Sequence, residues 1–176
     1  MARLDLGALL ITNAAGGIDP AFRAGEFMLI RDILSFQLQD PLRGAFLGEA
    51  PRRPPRRPLY DAAESARLLE AGKRAGIRLH EGVLAAATGP AYETRAELRV
   101  SRRFGAQAAS MSTFPESLLL AASGAPSLAM SCITNEIKEL PGEPLTHEEV
   151  VEVGKQSAEN FAKLLAAWSK LAGHRE

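Results

Sequence analysis

Four short polar clusters interrupt apolar stretches of this chain, and each holds groups able to do chemistry. They are Thr12-Asn13-Ala14-Ala15 ahead of two glycines, Tyr92-Glu93 after a Gly-Pro step, Met111-Ser112 ahead of Thr113, and Thr134-Asn135. His147 follows the last of them, beyond a loop rich in Pro and Glu. A carboxylate such as Glu93 accepts hydrogen bonds, and an amide such as Asn135 both donates and accepts. Tyr92 offers a ring face for stacking, and Met111 a soft apolar surface. The Ser112 hydroxyl, together with backbone N–H groups among small residues such as Ala14 and Ala15, can meet an anion. A purine on a sugar would use all of these. Its N–H and exocyclic amine suit a carboxylate, its oxygen and N7 suit an amide, and an apolar side chain can lie under the sugar. No single spacing names such a ligand. A tight turn accounts equally well for Ala-Ala-Gly-Gly, and a carboxylate before a helix gains from the helix dipole in any case.

The elements that must position these groups alternate. "LGALLIT" (6–12) and "EFMLIRDI" (26–33) read as buried strands, and 34–58 as a long irregular loop containing "PRRPPRRP". "DAAESARLLEAGKRAG" has helical spacing from about Tyr60 and ends at Gly76, a good C-cap. Strand-like "IRLHEGVLAAATG" leads to a helix over "TRAELRVSRRFG", then to a short strand "AQAAS" and a helix within "MSTFPESLLLAASG". "PSLAMSCIT" is the next buried strand, and a long helix from "THEEV" closes the chain. This order predicts an α/β fold with a mixed, largely parallel sheet flanked by helices. Thr94-x-x-Glu97, Thr113-x-x-Glu116 and Thr146-x-x-Glu149 each read as a capping box. They put the polar clusters at strand-to-helix corners, where α/β sheets bind ligands.

Composition narrows the class. Lys plus Arg equals Asp plus Glu at 21 each, which argues against a polyanionic partner. The basic run within 51–58 is short, lacks interleaved aromatics and reads as a solvated Pro-rich loop, so no nucleic acid is expected. One cysteine, Cys132, excludes a disulfide framework, and its apolar flanks suggest an inert thiol. Three scattered histidines offer no metal cluster, and no segment suits a membrane or a signal peptide. A cytoplasmic protein is expected.

"TNAAGG", "GPAYETRAE", "MSTFPE", "ITN" and "HEEV" occur in the order and approximate spacing of the trimeric purine nucleoside phosphorylases. From about Leu6 onward the chain resembles that family, whose framework methylthioadenosine phosphorylases share. The resemblance implies a transferase, specifically a pentosyltransferase of purine salvage. It would cleave guanosine and inosine with inorganic phosphate as co-substrate and without cofactor or metal, as a homo-oligomer, a trimer. It assigns Glu93 and Asn135 to the base, with Asn135 pointing to 6-oxopurines because relatives preferring 6-aminopurines usually carry Asp there. Tyr92 and Thr134 join them at the base. Met111 and His147 fall to the ribose, and Ser112, Ala14 and Ala15 to phosphate. Asn135, Glu93 and His147 would be the catalytic set.

The family's preceding Gly/Ser phosphate loop and Arg-x-His clamp have no counterpart before Leu6. The phosphorylase-type fold is therefore expected in N-terminally truncated form. Residues 1–176 would be one nucleoside phosphorylase-like domain, the C-terminal part of the family's, and missing strands would expose a sheet edge. Arg78-x-His80 imitates the clamp but sits on the wrong element. The aromatic that the family lends to a neighbouring subunit has no convincing match, Phe46 and Tyr60 being nearest. The alternative reading is a catalytically impaired purine-binding or assembly subunit.

Overall fold

The computed structural model describes residues 7–37, 42, 58–137 and 147–172, with the side chains of His147 and Ala172 outside that set. Among the described residues the strands are β1 (Leu9–Gly17), β2 (Phe27–Ser35), β3 (Leu79–Ala86), β4 (Ala106–Ser110) and β5 (Ser127–Glu136). The helices are α1 (Ala62–Ala75), α2 (Arg95–Arg103), α3 (Phe114–Ser123) and α4 (His147–Ala172). Most of the loop at 34–58, including Phe46 and the basic run, lies outside the described residues.

Local chemistry sets the helix ends. The Asp61 carboxylate accepts from the Glu64 N–H at 2.9 Å to start α1, and Gly76 ends it in the left-handed region at φ 68°. Thr94 and Glu97 form the expected capping box of α2. Thr146 lies outside the described residues.

The strands run in the order β1-β4-β3-β2-β5 and close into a barrel. β1–β5, β2–β3 and β3–β4 are parallel, while β1–β4 and β2–β5 are antiparallel. The sheet is thus mixed and largely parallel, as expected. The expectation of an open edge is corrected in part. Gly16 and Gly17 pair with Ala109 and Ala108, and these small residues let β1 and β4 meet and close the barrel. Along Leu9–Ala15, β1 has ladder partners only in β5 among the described residues.

The apolar run Phe27-Met28-Leu29-Ile30 shows how both faces of the sheet are covered. Met28 and Ile30 point inward to Ala15, Leu84, Ala108, Ala129 and Ile133, a cluster drawn from all five described strands. Phe27 and Leu29 point outward to Leu68 of α1 and Leu164 of α4, with Phe161 and Trp168 alongside. Period-two alternation with both faces buried is why the strand reads as continuously apolar. Each fully buried side chain of this kind contributes about 1.5–3 kcal/mol relative to exposure.

Candidate functional site

The polar clusters converge on a cavity of about 240 Å3 late in β1 and β5 and at the end of β4. Ala14, Ala15, Tyr92, Glu93, Met111, Ser112, Thr134 and Asn135 all line it. His147 begins α4, and its side chain is outside the described set. α4 reaches the cavity through Val150. Gly16, Ala109, Ser110, Ile137 and Val150 line it without having been singled out in the sequence. Ser110 is the one with a visible signal, since it directly precedes Met111-Ser112 at the end of an apolar strand.

The Ala-Ala-Gly-Gly stretch is strand, not the turn that its glycines also suggested. The register between β1 and β5 shifts there. Ala15 faces Ile133 and Gly16 faces Asn135, so Thr134 is an extra residue on β5. Such a bulge re-aims the side chains next to it. Thr134 is buried, and its hydroxyl lies 3.4 Å from the Ala15 carbonyl and 3.2 Å from Asn135 Oδ1. Sharing its proton with Oδ1 orients the Asn135 amide and leaves Nδ2 as a donor. A Cβ on Gly16 would sit 3.2 Å from that Nδ2. Asn135 is therefore placed by a bulge, a buried hydroxyl and a missing side chain.

Glu93 precedes α2. Its freedom follows from the capping box, because Thr94 and Glu97 already satisfy that helix start. Glu93 is half-buried and is the one charged side chain among the described lining residues. Tyr92, 58% exposed, gives the corner an open aromatic face. Met111 lies against Gly89, where φ is 66° and a Cβ would meet Met111 Sδ at 2.5 Å. Tyr92 and Glu93 also wall a second cavity of about 610 Å3, with Phe36 and Val100. The amide and the serines belong to the first.

α3 departs from expectation at its start. Thr113 makes no cap bond, so the Thr113-x-x-Glu116 capping box does not form. Asn13 competes for the hydroxyl: its Nδ2 donates to Thr113 Oγ1 at 2.6 Å. Thr113 is buried and held at φ 85°, in the left-handed region that disfavours a β-branched residue. The first N–H groups of α3 are consequently free of a side-chain cap, and Ser112 stands at that positive end.

Other candidates lie elsewhere. His80 Nε2 is 2.7 Å from Glu26 Oε2, and its ring packs 4.3 Å from that of Phe22, away from the cavity. Burial raises the Glu26 carboxyl, but the Arg23 N–H, His80 and Arg78 outweigh it and hold it below its ordinary value. Tyr60 is a core residue, its hydroxyl 2.9 Å from Ser117 Oγ and pushed up to about 12 by burial, so it cannot be lent to a neighbour. Burial also raises the Cys132 thiol, with a Ser157 hydrogen bond opposing it, which suits an inert thiol. Among the described residues no group of three His, Cys, Asp or Glu could hold a metal, and no helix is long and apolar enough to cross a membrane.

A largely apolar pocket with a few convergent polar groups, late in the strands of a mixed sheet, is the arrangement of an α/β protein that binds a small molecule. The family described as phosphorylase superfamily matches residues 1–169, and the chain belongs to it. It is 39% identical to purine nucleoside phosphorylase 1 of Bacillus subtilis (strain 168), over 95% of this chain and 62% of that protein. It is 38% identical to purine nucleoside phosphorylase of Bos taurus, over 97% of this chain and 63% of the relative. A solved schistosoma purine nucleoside phosphorylase in complex with hypoxanthine matches with a TM-score of 0.83 at 25% identity, covering 97% of this chain and 63% of the other. The chain thus spans less than two thirds of the length of these relatives.

Proposed function

We propose that this chain carries the base-recognising part of a purine nucleoside phosphorylase acting on guanosine and inosine. The observation that carries the reading is the meeting of Glu93 and Asn135 in one cavity with Met111 and Ser112. Glu93 accepts from N1–H, and from the amino group of guanine. Asn135 Nδ2, oriented by Thr134, donates to the base, and Tyr92 covers its face. Met111 underlies the ribose with His147 at the same end. Ser112 and the backbone of Ala14 and Ala15 hold inorganic phosphate beside the uncapped start of α3.

The chemistry is displacement at the anomeric carbon. A phosphate oxygen bonds to C1′ as the C1′–N9 bond breaks, and the electron pair leaves with the purine, which takes up a proton. The products are free base and ribose 1-phosphate. The positive charge on the sugar resembles that in glycoside hydrolysis, without its carboxylate pair. Asn135 acts by donating more strongly to the departing base as its negative charge grows, while Glu93 holds the base in register through its N1–H. We read the protein as a cytoplasmic homo-oligomer, a trimer by family likeness, with residues 1–176 as one domain unit. The bovine and Bacillus subtilis relatives bear the name of this activity, which supports the reading.

One observation favours a second reading. The described lining residues bring no Lys or Arg to the cavity, and a dianion without a guanidinium is held weakly. The chain would then be a purine-binding or assembly subunit. Release of base from guanosine and inosine by the purified chain, with and without phosphate, separates the two. Phosphate-dependent release abolished in Glu93→Ala and Asn135→Ala supports the phosphorylase. Guanine binding without turnover supports the subunit. Neither binding nor turnover overturns both.

A further inference from the structure

We propose that Ser110 is a positioning residue that sets phosphate affinity separately from base affinity; the inference rests on the function proposed above. Ser110 ends β4, is buried, and lines the cavity. Its hydroxyl has one proton and two lone pairs. The proton goes to the Ala14 carbonyl at 2.8 Å. The lone pairs face Ser112, whose N–H lies at 3.4 Å and whose Oγ lies at 3.3 Å. With the Ser110 proton committed to Ala14, Ser112 is the donor in the serine pair. Rotation about the Ser112 Cβ–Oγ bond then moves its proton from Ser110 to an anionic oxygen, while the Ser112 N–H stays tethered.

The same hydroxyl fastens the barrel where it closes. Among the described residues the β1–β4 ladder has the pairs Gly16↔Ala109 and Gly17↔Ala108, and the Ser110–Ala14 bond extends the seam past them. Ala14 and Ser112, two of the three residues assigned to phosphate, therefore share one hydrogen-bonding side chain. The base side does not. Asn135 is placed by the bulge at Thr134, and Glu93 stands outside the α2 capping box. Ser110 also has a backbone anchor that any variant keeps, since its carbonyl accepts from the Ala87 N–H at 3.0 Å.

The test is titration of the whole chain with inorganic phosphate and, separately, with guanine, followed by amide NMR. Ser110→Ala should weaken phosphate about tenfold, the effect of losing a hydrogen bond next to a charged ligand, and change guanine by less than about twofold. In a Ser112→Ala background, Ser110→Ala should weaken phosphate by less than it does in the wild type, since the contact between the two hydroxyls is already lost there while the Ala14 and backbone contacts remain. Ser110→Thr, which keeps the hydroxyl, should restore phosphate binding. Equal weakening of guanine and phosphate, or additive effects of the two serines, would overturn the proposal. So would a wild-type chain that binds guanine and no phosphate. A wild-type chain that binds neither overturns the proposed function and this inference with it.

Discussion

Asn13 and Thr113, a hundred positions apart in the chain, are joined by a hydrogen bond of 2.6 Å from Asn13 Nδ2 to Thr113 Oγ1. The bond turns Thr113 away from capping α3, holds it at φ 85°, and fixes the start of that helix against β1. One polar contact thereby leaves the start of α3 without a side-chain cap next to Ser112, which lines the cavity.

Replacing Asn13 by Ala should cost about 1–2 kcal/mol, because it leaves the buried Thr113 hydroxyl without its donor. At Thr113 the order of two variants is diagnostic. Thr113→Gly relieves the positive φ that Thr113→Ala retains, and should be the more stable by about 1 kcal/mol. Urea unfolding of the three variants measures both effects. Alanine at least as stable as glycine would mean that the backbone is not strained there.

Gly16 should matter for binding more than for folding. A Cβ there would meet Ile137 Cδ1 at 2.7 Å and Asn135 Nδ2 at 3.2 Å. The Ile137 tip can yield, so Gly16→Ala should cost about 1–2 kcal/mol in stability. Displacing the Asn135 amide should weaken guanine by about tenfold or more. Unfolding and guanine titration of the same variant separate the two effects.

The Glu26–His80 pair predicts a pH effect outside the cavity. Glu26 is held below the ordinary value of 4.5, so its native carboxylate is favoured over the unfolded one. The stabilisation is fully present above that ordinary value and disappears as pH falls through the lowered one. Urea unfolding between about pH 6 and about pH 3 should show a flatter acid limb in Glu26→Gln than in the wild type. Parallel curves would remove Glu26 from the account of acid stability.

Asn135→Asp should change the choice of base. A carboxylate cannot donate to a 6-oxo group, yet it accepts from a 6-amino group. The ratio of guanine to adenine affinity should fall by about a hundredfold, as expected where a site's hydrogen bonds go unmatched. An unchanged ratio would place base selection elsewhere.

Much of this architecture is legible in the residues because the signals are local. Asp61, Gly76 and the Thr94-Glu97 box mark helix ends within a few residues, and the apolar runs of β2 and β5 mark strands buried on both faces. The eight lining residues named from the sequence share a cavity because each sits at a strand end or a helix start. What was not legible depends on distant partners. Nothing near Thr113 shows that Asn13 will take its hydroxyl, and Gly16-Gly17 looks like a turn until Ala108-Ala109 arrive beside it. The bulge at Thr134 and the double role of Ser110 likewise arise from register with β1, which no local pattern encodes.

The decisive measurement is guanine binding to the whole chain, compared with adenine and repeated in Glu93→Ala. Guanine should be preferred over adenine by about two orders of magnitude or more, and guanine binding should be lost in Glu93→Ala. Equal affinity for the two bases, or a Glu93→Ala variant that binds guanine as the wild type does, would contradict it.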